Sequence, residues 1–229
     1  MNNIVPIEFS KNLGILSEKE WLALSKTKIL IIGLGGLGGY LANSLIRLGI
    51  RELILIDPDQ FSSSNLNRQL FSSHDSIGKF KVEVVKSELL KISSNLDIEI
   101  HKDCVQNLDV NTFDKIDIIV DCVDDIPTKL FLEEKASIHL KPLLHGAIGG
   151  WYGQIGIALP GSNLLHEMYG NQDSGLETSL RSPTFMPAVV ANLMVSELVK
   201  FFLNKTEVLR NQIMMIDVLN HEYKVIYKK

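Results

Sequence analysis

Cysteine is scarce in this chain: among 229 residues only Cys104 and Cys122 carry a thiol. Two are too few for a disulfide framework, and a reducing cytoplasm is the simplest setting. An excess of positive charge is also missing. The net charge is −4, which disfavours a general nucleic-acid or acidic-membrane binder. The opening MNNIVPIEFSKN has no basic start followed by an apolar run, so no secretory signal is expected. No long apolar run is free of polar groups. The most apolar stretch, PAVVANLMVSELVKFFL, contains Asn192, Glu197 and Lys200 and reads as a buried amphipathic helix rather than a membrane span. The histidines are scattered without metal-ligand spacing, and no repeat or low-complexity tract occurs.

What remains is an ordinary globular composition. Hydrophobic residues make up 45% and charged residues 22%, enough for the sizeable core of one domain with at most a modest extension. Ser17 followed by Glu20 predicts a capped helix start. Aliphatic runs at 28–32, 52–57, 96–101, 116–121 and 142–145 read as strands. Between them, helices are expected from the glycine run to about residue 48, over 79–93, and from the fourth strand to residue 136. Strands alternating with helices predict an α/β fold, a Rossmann-like, mainly parallel sheet flanked by helices. Residues 153–158 read as a further strand, 160–183 as a long unpatterned loop, and 187–203 as a helix with Pro187 in its first turn. Residues 214–218 and 222–227 then form a closing antiparallel hairpin. The expected layout is an N-terminal arm and helix (1–26), a nucleotide-binding core (27–146), and a crossover loop, apolar helix and closing strands (147–229).

Chemistry concentrates at strand ends. GLGGLGG places Gly33, Gly35 and Gly38 in G-x-G-x-x-G spacing between a strand and a helix, with Gly36 in the same turn. Such glycines let backbone approach a phosphate at a helix N-terminus. Asp57 ends the next strand, where an acid accepts bonds from ribose hydroxyls. These features do not separate NAD from ATP. The polar run SNLNRQLF does: an amide at Asn65 and a guanidinium at Arg68, three residues apart, suit a polyphosphate. Lys81 adds a second cation at the start of a helix. In DCVDD, Asp124 or Asp125 faces the crevice of an open sheet; one suits Mg²⁺ and the other a helix N-cap.

GLGGLGG, LILIDPD, SNLNRQLF, GKFKVE and DCVDD occur together in an order and spacing that resembles the ThiF/MoeB/HesA-like adenylyltransferases, bacterial relatives of the ubiquitin-activating enzymes. The resemblance runs from about residue 9 to 227. It implies an ATP- and Mg²⁺-dependent enzyme of a typically homodimeric family. Such an enzyme adenylylates the C-terminal carboxylate of a small ubiquitin-fold carrier ending in Gly-Gly, or of a peptide, and releases pyrophosphate. By matching motif, Asp57 would bind the ribose, Asp59 would belong to the same nucleotide site, and Asn65, Arg68 and Lys81 would hold the phosphates. Gln69 would support that site and Asp124 would bind Mg²⁺.

Three departures stand out. Lys11 occupies the place of an N-terminal arginine that reaches the partner's ATP site, and lysine lacks the bidentate fork. The two CxxC pairs that bind zinc in many members are missing, so no structural zinc is expected. No cysteine stands before the last helix to take an acyl group. The rival readings are an NAD-dependent oxidoreductase and a non-catalytic carrier-binding scaffold.

Overall fold

Strands β1 (Lys28–Ile32), β2 (Glu52–Ile56) and β4 (Ile118–Asp121) are almost continuously buried because both faces of their sheet are covered. Alternate residues enter opposite cores. Ile29 and Ile31 of β1 pack with Leu53 and Leu55 of β2 on one face, while Leu30 and Ile32 pack with Ile54 and Ile56 on the other. The computed structural model describes residues 5–170, 172 and 180–227.

With β3 (Asp97–His101), β5 (Leu143–Gly149), β6 (Tyr152–Ala158), β7 (Gln212–Asp217) and β8 (Glu222–Tyr227), these strands form one sheet in the order β3-β2-β1-β4-β5-β6-β7-β8. Pairings through β5 are parallel, and the three beyond it are antiparallel. The α/β expectation, a mainly parallel sheet extended by antiparallel C-terminal strands, therefore holds. The strand order reverses between β1 and β4. In such sheets the ligand crevice opens at that point, beyond the carboxyl ends of the strands.

Helix α1 (Glu18–Leu24) starts at the expected capping box, with Ser17 accepting from Glu20 N and the Glu20 carboxylate accepting from Ser17 N. Helices α2 (Gly36–Leu48) and α3 (Lys81–Leu90) contribute to the first core, and α4 (Ile126–Ile138) and α5 (Leu164–Tyr169) to the second. Helix α6 (Phe185–Phe202) is long and apolar enough to cross a membrane by length and composition. Here Met186, Val190, Ala191, Met194 and Leu198 are buried in the first core with residues of α2, β5 and β6. Buried Glu197 is paired with Lys200 and accepts from Leu209 N at 3.1 Å.

The long loop expected at 160–183 is partly wrong, because α5 lies inside it. Its first turn is capped from a distance: the buried Glu133 carboxylate accepts from Leu165 N at 2.8 Å and His166 N at 3.0 Å. A cap supplied from 32 residues away leaves no local pattern to read. Residues 171 and 173–179 of that stretch lie outside the described residues. The fifth strand is also longer than expected. It continues to Gly149 because β6 pairs back along its whole length, from Leu143↔Ala158 to Gly149↔Tyr152.

Candidate active site

The turn from β1 into α2 is built for close backbone packing. Gly33 has φ +88°, and a Cβ there would lie 2.7 Å from Cys122 O. A Cβ on Gly38 would lie 1.9 Å from Gly33 O, so the first turn of α2 sits directly on the loop. Gly35 is the N-cap of α2 and provides no capping side chain. The opening amides of that helix are thus left to a ligand or water. A Cβ on Gly35 would have one neighbour within contact range, Gln69 Nε2 at 3.5 Å. Gln69 is buried, and its Oε1 has no hydrogen-bond partner among the described residues. Gln69 thus stands beside the glycine turn.

Asp57 follows β2 and is also buried. Its Oδ2 accepts from Leu34 N at 2.6 Å and its Oδ1 from Asp59 N at 2.9 Å. Burial pushes its pKa up, although the nearby Lys81 ammonium opposes the shift. The carboxylate thus ties the glycine loop to β2. Asp59, with its side chain 65% exposed, is the more open acid of the pair. Lys81 is buried at the start of α3, with Nζ 2.7 Å from Asp59 Oδ2 and 3.6 Å from Asp57 Oδ1.

SNLNRQLF forms a tight turn around Asn65. Asn65 is buried, and its Oδ1 accepts from Ser62 N at 2.9 Å. Its backbone oxygen accepts from Arg68 N and Gln69 N. The half-buried Arg68 donates from Nη1 to Ser64 O at 2.9 Å and to Asn67 Oδ1 at 3.0 Å. No carboxylate pairs with it among the described residues. The same turn is tied to the lead-in of α6 through Thr184 Oγ1, which donates to Asn67 O, and Asn67 Nδ2, which donates to Ser182 O at 3.3 Å.

The two aspartates beyond β4 divide their work. Asp125 is the N-cap of α4, its Oδ1 accepting from Thr128 N at 2.8 Å, with a proline in the first turn. Asp124 is exposed and lines a pocket of about 190 Å³ between β5, β6 and α5. The pocket wall is mostly apolar, with Ile148, Met168 and Met215, and Tyr152 and Tyr169 also line it. Trp151 next door is 46% exposed and packs on Phe185 with ring centroids 4.9 Å apart.

Lys11 is not part of this crevice. It sits in the 3-10 turn Ile7–Asn12, and its neighbour Asn12 donates to Arg47 O and Leu48 O at the C-terminal end of α2. The glycine turn is at the other end of that 13-residue helix, about 20 Å away. Neither cysteine joins the site's polar groups. Cys122 is buried, and burial pushes its thiol pKa far up; Cys104 is exposed.

Sequence reasoning missed a buried charged cluster behind the pocket. Asp121, Lys129 and His145 are almost wholly inaccessible. His145 Nδ1 lies 2.7 Å from Asp121 Oδ2, so this nitrogen carries the proton the carboxylate accepts. His145 Nε2 is 3.2 Å from Tyr169 Oη and 3.3 Å from Gln154 Nε2. The one available signal was an acid and a lysine eight residues apart, across a strand-to-helix turn.

Burial pushes the His145 pKa down, the bond to Asp121 opposes this, and the Lys129 ammonium lowers it further, for a net decrease. The unfolded chain therefore binds more protons there than the folded chain. Stability from this group is lost as pH falls below the unfolded histidine pKa of about 6.5. Burial alone would raise the Asp121 pKa, but Lys129 and His145 hold it below the usual carboxylate value, so its contribution is lost only at lower pH. Melting curves between about pH 7.5 and 5 should show the parent losing stability with acid, and His145→Gln with a flatter slope. An unchanged slope in the variant contradicts a neutral, buried His145.

The fold and crevice define a Rossmann-like α/β protein with a glycine turn, an acid–lysine cluster and an open carboxylate at the strand ends. The chain belongs to the ThiF family, whose profile matches residues 9–229. It is 32% identical over 135 residues to a protein of Drosophila persimilis named adenylyltransferase and sulfurtransferase MOCS3, an alignment covering 58% of this chain and 30% of that protein. The chain thus spans under a third of the length of that relative. It is 24% identical over 210 residues to the SAMP-activating enzyme E1 of Haloferax volcanii, covering 89% and 77% of the two chains. Its fold superposes on E. coli MccB solved with ATP at a TM-score of 0.79 and 25% identity, covering 99% of this chain and 72% of that one.

Proposed function

We propose that this chain adenylylates a C-terminal carboxylate, using ATP as the second substrate and releasing pyrophosphate. The carboxylate belongs to a small ubiquitin-fold carrier ending in Gly-Gly, or to a peptide. One observation carries the reading. The glycine turn, the buried Gln69 Oε1 with no partner among the described residues, Lys81 with its acids, and Arg68 belong to segments gathered at the strand ends. Asp124 stands open beyond the neighbouring strand. Family membership and the names of the relatives support the same reaction class.

In this reading the triphosphate lies over the glycine turn, against the uncapped amides of α2. Asp59 accepts from the ribose, which draws it away from Lys81 and frees that ammonium for phosphate. Asp57 accepts from the ribose as well, while it keeps the glycine loop attached to β2. The substrate tail enters past Asp124 along the apolar pocket. A carboxylate oxygen attacks the α-phosphorus in line, and the bond to the departing pyrophosphate breaks. No proton needs to be abstracted, so positioning and charge neutralisation carry the rate. Arg68, Lys81 and Asn65 supply that neutralisation. The residues fit Mg²⁺: a single open carboxylate suits a cation that completes its shell with phosphate oxygens and water. Asp124 would hold the cation, which would supply shielding of phosphate charge. The working unit is a homodimer in a reducing compartment, with Lys11 of one subunit serving the partner's crevice.

The oxidoreductase reading is separated by nucleotide preference. ATP with Mg²⁺ should raise the melting temperature, whereas NADH should leave it unchanged. Stabilisation by NADH alone would replace this reading with the oxidoreductase.

Catalysis by this chain stops at the acyl-adenylate. A thioester or persulfide enzyme needs an accessible, activated thiolate, and the buried Cys122 thiol is held protonated. The double variant Cys104→Ser, Cys122→Ser should keep parental pyrophosphate exchange. Mass spectrometry of the parent should find no reductant-sensitive enzyme–substrate adduct. An adduct lost in either single variant would make that cysteine catalytic.

A further inference from the structure

The residue before Asp124 is held by charge on both sides of its backbone. Val123 N–H donates to Asp121 Oδ1 at 3.1 Å, and Val123 C=O accepts from Lys129 Nζ. Asp121 and Lys129 form an ion pair at 3.3 Å, with 0% and 1% of their surface exposed. The pair is anchored in turn to β5. His145 Nδ1 donates to Asp121 Oδ2 at 2.7 Å, and Gly146 O accepts from Lys129 Nζ at 3.3 Å. Sheet register places His145 directly beside Asp121. A buried ion pair of this kind stabilises a fold no better than well-packed apolar side chains, and its best-attested use is to fix one arrangement. Here the arrangement it fixes is the turn leading into Asp124.

We propose that Asp121, Lys129 and His145 are positioning residues that set the place of the Asp124 carboxylate by holding both backbone groups of Val123. In this proposal the cluster acts on Asp124 through the loop, by way of the Val123 backbone. Lys129 also lines the pocket, together with Gln154 and Tyr169, which reach His145. The carboxylate and the pocket that would receive the substrate tail therefore share one rigid support. The proposal rests on Asp124 holding Mg²⁺, as proposed above.

The test reads metal-assisted binding directly. ATP is titrated calorimetrically into the full chain with EDTA and again with Mg²⁺, and the ratio of the two affinities is taken. In Lys129→Met that ratio should fall roughly 10- to 100-fold, the usual cost of removing an outer support of a metal ligand. Affinity for ATP in EDTA should be unchanged, and Lys129→Arg should restore part of the ratio. Lys129→Met leaves Asp121 without its lysine. The double variant Lys129→Met, Asp121→Asn therefore removes both charges, and the neutral exchange His145→Gln gives a milder third probe. Every folded variant of the three should lose part of the ratio. A parental ratio in any of the three overturns the proposal. Asp124→Asn runs alongside. If it loses the ratio while the cluster variants keep it, only the positioning role falls. If Asp124→Asn keeps the ratio, the assignment of Mg²⁺ to Asp124 falls and the positioning proposal falls with it.

Discussion

Arg68→Ala should lower ATP–pyrophosphate exchange by roughly 100-fold or more, because removing one donor aimed at developing charge typically costs that much. The structure explains why Arg68 should matter more than its sequence neighbours. Lys81 already has Asp59 and Asp57 beside it, so phosphate binding trades one partner for another. Arg68 has no carboxylate among the described residues and is held by neutral oxygens of its own turn, Ser64 O and Asn67 Oδ1. Its charge is therefore available to a phosphoryl group without first breaking an ion pair. Losing those two neutral bonds should cost at most about 1–3 kcal/mol of stability. The melting temperature should thus fall only modestly while exchange nearly disappears. Lysine at this position should recover part of the rate, since it keeps the charge but loses the planar fork. Parental exchange in Arg68→Ala would remove the phosphate role from this residue.

Asp124→Asn should lower Mg²⁺-dependent turnover by about 100-fold or more, because the charge stabilisation supplied through a bound metal is worth several kcal/mol. An amide oxygen is a weaker ligand for a hard cation, so the Mg²⁺ concentration needed for half-maximal exchange should also rise. Asp125→Asn is the matched control, removing the same charge one residue away. Asparagine still caps a helix, so that variant should be near parental in both exchange and stability. Asp125→Ala should lose about 1 kcal/mol of stability through the missing cap of α4. A reversed order, with Asp125→Asn the more damaging to exchange, would reassign the metal ligand.

The contrast between these two aspartates shows what the sequence made legible. DCVDD placed both acids at a strand end, and a proline two residues beyond Asp125 marked a helix start. Which acid capped that helix depended on the turn itself, and the bond from Thr128 N to Asp125 resolves it. Strands β1, β2 and β4 were plain because burial on both faces demands uninterrupted aliphatic runs. Helix α5 was hidden because its cap comes from Glu133 on a different helix. The Asp121–Lys129–His145 cluster was hidden for a similar reason. It becomes visible only once β4 and β5 are known to be neighbours with Asp121 beside His145. Local chemistry such as glycine spacing and the SNLNRQLF run survives translation into sequence. Contacts made across the sheet do not.

The most direct test of the account is ATP–pyrophosphate exchange by the purified chain with candidate carboxylate substrates. Short peptides and small carriers ending in Gly-Gly should be supplied separately, each with a C-terminally amidated control, and products read by mass spectrometry. Exchange should require Mg²⁺ and a free C-terminal carboxylate, and the product should carry AMP on that carboxylate. ATP cleaved to ADP and phosphate, or AMP transferred equally well to the amidated control, would contradict this.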